Sequence, residues 1–206
     1  MKIFLDLDGT ILDAKYRCYR LYVNLLSHGG FSTVDMLTYW QMKRSKIPEK
    51  DIASKTVPIT FAKYYVEKRA HLIETMDYLI LDSVFDGVYV TLDRWFLDHD
   101  LYLVTLRRDE AALNRQLLLF DLHRYFKHIY NSGDEQIKKE DLISHEISDQ
   151  SDCVIIGDTE VDVEAGKALS IKTVAVTSGI RDRCLLEKMF PDVLAKSICD
   201  FKLVGE

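Results

Sequence analysis

Asp6 and Asp8 stand two residues apart at the end of a short apolar run, in the stretch FLDLDGTILD (4–13). In an extended chain that spacing points both side chains the same way, and like charges so close repel unless a cation or a proton intervenes. A second acidic pair, Asp158 and Asp162, follows another apolar run in VIIGDTEVDVEAGKAL (154–169). Between these stretches VTLRR (104–108) closes an apolar run on Thr105, with Arg107 and Arg108 just beyond, and Lys138 and Lys139 stand ahead of a helical pattern. Carboxylates, carbonyls and water suit Mg²⁺, whose remaining positions are commonly taken by water and substrate phosphate. Such a set holds no soft ligand that would favour zinc. The expected chemistry is therefore magnesium-assisted phosphoryl transfer; the competing reading is a set of acids on polar loop ends.

Bringing residues so far apart in sequence to one place requires a particular scaffold. Five apolar runs supply it: KIFL (2–5), LYLVT (101–105), HIY (128–130), CVIIG (153–157) and KTVAV (172–176). The clearest of them are nearly continuous rather than alternating, as strands are when both faces of a parallel sheet are covered. Helical patterns lie between the later ones, marked by Ala111, Leu113, Leu117, Leu118 and Phe120, then by Leu142, Ile143 and Ile147, then by Val161, Ala165, Ala168 and Leu169. That rhythm predicts right-handed βαβ units and an α/β, Rossmann-like parallel sheet, whose ligands bind outside the carboxyl ends of the strands. Every candidate residue falls at such an end.

Residues 14–80 depart from the rhythm. They show aromatic-rich helical segments, YRCYRLYVNLL (16–26) and ITFAKYYVEKRAHLIETM (59–76), with breaks at HGGF (28–31) and KIPEKD (46–51), and no strand. The expectation is a small all-helical cap inserted after the first strand, leaving 1–13 and 81–206 as the catalytic core. Within the insertion Lys43, Arg44, Lys46, Lys50 and Lys55 stand against Glu49 and Asp51, either as a solvated charged face or as a patch that draws an anionic substrate. The C-terminal stretch GIRDRCLLEKMFPDVLAKSICDF (179–201) predicts a helix, a turn at Pro191, and a short helix or strand at the sheet edge.

Composition narrows the partners. A formal net charge of -6 over 206 residues argues against a nucleic-acid polymer, which calls for a concentrated basic face. It leaves small phosphorylated metabolites open, because a bound cation supplies positive field locally. Cys18, Cys153, Cys184 and Cys199 form no CxxC pair and read as isolated thiols in a reducing compartment. No apolar run approaches the roughly 18 residues of a membrane span, and an acidic stretch directly behind MKIFL fails as a signal peptide. The expected location is cytoplasmic.

The stretch FLDLDGTILD resembles the first motif of the haloacid dehalogenase-like hydrolase superfamily, an apolar strand followed by DxDGT. VTLRR resembles the second motif, a lysine at 138 or 139 the third, and VIIGDTEVDVEAGKAL the fourth. The likeness covers nearly all the chain outside the insertion. Its general look is that of the phosphoglycolate-phosphatase and β-phosphoglucomutase-like branch, whose helical cap enters just after the first motif. The resemblance implies that Asp6 attacks phosphorus to form an aspartyl-phosphate, and that Asp8 is the acid and base, with its backbone carbonyl on Mg²⁺. It also implies that Asp6 and Asp158 ligate the ion and that Asp162 ligates it or holds its water. Thr105 and the lysine then grip the phosphoryl oxygens. Lys139 is preferred to Lys138 because it places apolar Ile143 and Ile147 at +4 and +8. Arg107 and Arg108 read first as solvent-exposed or salt-bridged arginines, with contact of one of them to substrate or cap as the alternative. The function implied is a Mg²⁺-dependent phosphatase acting on a small phosphomonoester. A phosphomutase of the β-phosphoglucomutase type, or a binding protein whose catalysis has lapsed, are the alternatives, and oligomeric state is not legible.

Overall fold

The computed structural model describes residues 1–133 and 137–203. The chain divides into two compact units, Met1–Asp13 with Val84–Glu206, and Ala14–Ser83. In chain order it begins with β1 (Lys2–Leu5) and β2 (Leu12–Asp13). Next come α1 (Lys15–His28), α2 (Met36–Arg44), α3 (Glu49–Ala53), α4 (Ile59–Leu72) and α5 (Met76–Leu79). After them stand β3 (Ser83–Val84), α6 (Val88–Asp98), β4 (Asp100–Thr105), α7 (Glu110–Leu119) and β5 (His128–Asn131). The last elements are α8 (Lys139–Ile143), β6 (Cys153–Gly157), α9 (Glu160–Ala168), β7 (Lys172–Val176), α10 (Arg183–Glu187) and β8 (Val193–Ala195).

Six strands form one parallel sheet in the order β5-β4-β1-β6-β7-β8. Successive residues of the central strands serve opposite faces, which is why these runs carry no polar alternation. Ile3, Leu5, Leu101, Leu103, Val154 and Ile156 pack with Val88, Leu92 and Trp95 of α6 and Leu113 and Leu117 of α7. Phe4, Tyr102, Val104 and Ile155 pack with Ile143 of α8 and Ala165 of α9. Each such side chain, fully withdrawn from water, contributes about 1.5–3 kcal/mol. The fold is thus the α/β, Rossmann-like parallel sheet that the apolar runs predict, and all five runs are strands.

From β1 the chain moves outward through β4 and β5, returns to the other side of β1, and moves outward again through β6, β7 and β8. The loops leaving β1 and β6 therefore part at a switch point, where open parallel sheets bind ligands. Register brings the candidates level there. Leu5 lies opposite Leu103 and Ile156, and the Asp6 N–H donates to the Ile156 carbonyl at 2.9 Å. Beyond this level β1 ends, while β4 runs on to Thr105 and β6 to Gly157.

Two local expectations need correction. The helical pattern running to Ile147 is cut short: α8 ends at Ile143 and Ser144–Glu146 tighten into a 3₁₀ turn, although Ile147 still packs against the core. KIPEKD is a break only as far as Pro48, because α3 starts immediately after it. A proline at a helix entrance forfeits no intrahelical hydrogen bond.

The unit Ala14–Ser83 is helical with an aromatic centre, in which Tyr22 stacks on Tyr39 at 4.8 Å and meets Tyr65 edge-on at 6.0 Å. Glu49 lies among them, accepting from Lys43 at 2.5 Å and from the Tyr65 hydroxyl at 2.7 Å, and pairing with Arg69 at 3.1 Å. Burial works against its carboxylate, but Arg69 and Lys43 hold the Glu49 pKa below its usual value. Lys43 therefore leaves the basic stretch and belongs to the interior, so neither reading of that stretch applies to it. Arg17 and Asp82 form a second buried pair at 3.1 Å, tying the start of α1 to the segment after α5. Among the described residues no helix is long and apolar enough to cross a membrane, and all four cysteines are free thiols.

Candidate active site

Asp6 follows β1, Asp158 follows β6, and Asp162 lies in the first turn of α9. Their carboxylate oxygens lie within 4.8 Å of one another, and all three residues are buried. Lys139 heads α8, is itself buried, and donates to Asp6 Oδ1 and, at 2.6 Å, to Asp162 Oδ1. The other Asp162 oxygen accepts from the Thr159 N–H at 3.0 Å and the Thr159 hydroxyl at 2.7 Å. Asp162 is thus fully engaged as a bracket between the α9 entrance and Lys139. Lys138 is exposed and lies near Glu140 at 3.6 Å.

Asp158 is held differently. Its Oδ2 accepts from the Ile180 N–H at 2.5 Å, whereas its Oδ1 is buried without a hydrogen-bond partner. A buried carboxylate oxygen left in this way is costly, unless a cation completes it. Two glycines permit the arrangement. At Gly179 an added Cβ would stand 1.9 Å from Asp158 Oδ2, and at Gly9, where φ is +90°, it would stand 2.3 Å from the same oxygen. Ser178 closes this layer by donating to the Gly9 carbonyl at 2.7 Å. Sequence reasoning did not single out Ser178, Gly179 or Ile180 for the site. Their signal was position: they follow the KTVAV strand at the same carboxyl edge as the acids.

Electrostatics agree with the geometry. Burial, opposed by Lys139 and reinforced by Asp162, pushes the Asp6 pKa up to about 7. Burial and the charges of Asp6 and Asp162 push Asp158 well above the carboxylate range. Burial alone would lower the Lys139 pKa, but Asp162 and Asp6 more than reverse this and hold the ammonium charged. One lysine cannot neutralise three carboxylates. The oxygen-only donors, the excess negative charge and the Asp158 oxygen without a partner fit a hard divalent cation.

This makes a prediction of definite sign. Asp6 and Asp158 have folded pKa values raised above the ordinary carboxylate range. The native state therefore binds more protons than the unfolded chain in the window from about pH 4 up through about pH 7, and the site's contribution to metal-free stability falls as pH rises through it. Mg²⁺ competes with those protons. In EDTA against saturating Mg²⁺ the melting temperature should rise by about 5–10 °C at pH 7.5 and by clearly less at pH 5. A Mg²⁺ shift that is equal at both pH values would refute this account of the cluster.

Asp8 and the arginines complete the inventory. Thr105 ends β4 buried, its hydroxyl accepting from the Arg107 N–H at 3.3 Å. Arg107 is also buried and forks onto Asp8, Nε to Oδ2 at 2.6 Å and Nη2 to Oδ1 at 2.7 Å. Arg108 is exposed. Thr10 lies within 3.5 Å of Asp6 Oδ2 through its hydroxyl.

Comparison with known proteins gives this arrangement a context. A family model described as haloacid dehalogenase-like hydrolase matches residues 3–176. Pyrophosphatase PpaX of Bacillus velezensis is 26% identical over 216 residues, covering 96% of this chain and 93% of that protein. A haloacid dehalogenase-like family hydrolase of Streptococcus pneumoniae superimposes with a TM-score of 0.77 at 21% identity, covering 96% of this chain and 94% of that one. A structure described as a predicted phosphoglycolate phosphatase from Haemophilus somnus gives 0.75 at 16% identity, with coverage of 96% and 94%. The two structural matches show a shared fold.

Proposed function

Because the chain belongs to the haloacid dehalogenase-like hydrolase family, we propose that it is a Mg²⁺-dependent phosphatase that hydrolyses a small phosphomonoester through an aspartyl-phosphate on Asp6. The observation that carries this is the buried Asp6–Asp158–Asp162 cluster, with Lys139 as its internal cation and one Asp158 oxygen without a partner.

In the first step Asp6 forms a bond to phosphorus while the bond to the leaving oxygen breaks, and Asp8 gives its proton to that oxygen. In the second, water bonds to phosphorus, the bond to Asp6 breaks, and the water proton returns to Asp8. Ester and water thus become alcohol and phosphate, with both aspartates restored. Asp6, Asp158 and the Asp8 carbonyl would hold the ion, which supplies positive field that lets an anionic nucleophile meet an anionic ester. Lys139 neutralises Asp6 and Asp162 and, with the Thr105 hydroxyl, steadies the transferring oxygens. Asp162 acts through Lys139 and Thr159, which favours its role as a holder over that of a direct ligand. The helical unit 14–83 serves as the cap that selects the organic part of the substrate. A soluble, cytoplasmic enzyme acting on a metabolite fits the composition.

The named activity of the Bacillus relative favours one further substrate, pyrophosphate, which replaces the alcohol with phosphate as leaving group. Purified protein with Mg²⁺ should release phosphate from 4-nitrophenyl phosphate and from at least one member of a panel of phosphomonoesters and pyrophosphate. EDTA should cut the rate by more than about 100-fold. Transfer of the phosphoryl group to a sugar phosphate in preference to water would identify a mutase instead. Absence of phosphate release from every compound, or release indifferent to EDTA, would sink the proposal.

A further inference from the structure

We propose that Arg107 is the positioning residue of Asp8, fixing the plane and direction of the acid/base carboxylate rather than gripping the substrate. The inference rests on the role of Asp8 argued above and goes beyond it by naming what holds that side chain.

The contact is a two-point fork, with Nε on Oδ2 at 2.6 Å and Nη2 on Oδ1 at 2.7 Å. A single bond would let the carboxylate swivel; two parallel bonds to a planar guanidinium fix its rotation as well as its place. The arm that carries the fork is itself anchored. The Arg107 N–H donates to the Thr105 hydroxyl at 3.3 Å, and its carbonyl accepts from Ser132 Oγ at 3.4 Å and Asn131 Nδ2 at 3.5 Å. Thr105 and Asn131 are paired across β4 and β5, so the arginine is held from two adjacent strand ends.

Exposure runs in the matching direction. The Arg107 side chain is 5% exposed and the Asp8 side chain 32%, so a buried arm presents a carboxylate that still reaches solvent. An ionised carboxylate has about four lone-pair positions. The fork engages both carboxylate oxygens.

Leaving-group dependence separates the two roles. A 4-nitrophenolate departs without a proton, whereas the alkoxide of glycerol 2-phosphate needs one from Asp8. The value of kcat/KM reports events through the first phosphoryl transfer, so it isolates this difference. Arg107→Met should lower kcat/KM for glycerol 2-phosphate by about 10- to 100-fold and for 4-nitrophenyl phosphate by less than about 3-fold. Arg107→Lys keeps the charge without the fork and should recover only part of the loss; it also serves as the test protein if Arg107→Met does not fold. In an Asp8→Asn background, adding Arg107→Met should cost less than about 3-fold on either substrate, because the group it positions is already gone.

Equal losses on both substrates would overturn the inference and assign Arg107 to substrate contact. No loss on either would overturn it as well. Absence of turnover by the unsubstituted protein on both compounds would overturn the phosphatase reading and this inference with it. That outcome is distinguishable from the others, all of which are read against an active parent.

Discussion

Replacing Asp6 with Asn should abolish phosphate release, lowering kcat by on the order of ten-thousand-fold or more, while raising the melting temperature of the metal-free protein at pH 7. The two effects have one cause. An amide of nearly the same shape has no anionic oxygen to attack phosphorus, so the aspartyl-phosphate cannot form. Yet the native carboxylate is held against its preference: burial and Asp162 push its pKa up to about 7, so ionising it near neutrality destabilises the fold. Asn removes that charge, and Lys139 retains Asp162 at 2.6 Å. A catalytic group kept at the expense of stability is expected at a working site. Thermal melts in EDTA beside steady-state rates in Mg²⁺ check both halves. If Asp6→Asn turned over like the parent, Asp6 would not be the nucleophile. If it were inactive and also markedly less stable, Asp6 would be serving the fold.

That conflict between charge and burial is also what made part of the site readable without coordinates. Asp6 and Asp158 stand directly behind runs too apolar for loops, and an acid at the mouth of a buried strand either meets something positive or simply ends the strand. The sheet follows from the same runs, since continuous Val, Ile and Leu at four or five residues leave few alternatives to covered parallel strands. Lys139 is harder. Its neighbour Lys138 has the same chemistry, and the choice depends on where α8 begins; the structure starts the helix at Lys139 and buries Ile143 one turn on. Ile147 lies beyond the helix, past the 3₁₀ turn of Ser144–Glu146.

Other features were out of reach for physical reasons. Glycines in polar loops are common, and the need for one at Gly179 arises only because Asp158 Oδ2 lies where its Cβ would be. The Arg107–Asp8 fork joins residues 99 apart in sequence, through parallel pairing of β1 with β4 and side-chain torsions that no pattern encodes. Lys43 read as one charge in a solvated run, yet the carboxylate of Glu49 draws it inside. Pattern locates elements and the ends of elements. Which partner a long, flexible side chain then finds is decided by three-dimensional proximity.

Lys139→Met should behave as the mirror of Asp6→Asn in stability and its companion in activity. The substitution keeps an unbranched side chain of similar reach and removes the cation that contacts both Asp6 Oδ1 and Asp162 Oδ1. Breaking a buried ion pair from one side typically costs about 3–5 kcal/mol, so the metal-free protein at pH 7.5 should melt on the order of 10 °C lower. Mg²⁺ should return more of that loss than it adds to the parent, because the ion becomes the sole remedy for three crowded carboxylates. Activity should fall by about 100- to 10,000-fold even in saturating Mg²⁺, since the phosphoryl oxygens lose a charged partner that the ion does not replace. Lowering the pH from 7.5 to 5 should recover stability, as protonation of Asp6 and Asp158 does what Lys139 no longer can. The double variant Asp6→Asn with Lys139→Met should melt above Lys139→Met alone, because one of the stranded charges has gone. A Lys139→Met protein that melts like the parent in EDTA at pH 7.5 would show that the three carboxylates need no internal cation, and the electrostatic account of the site would fail with it.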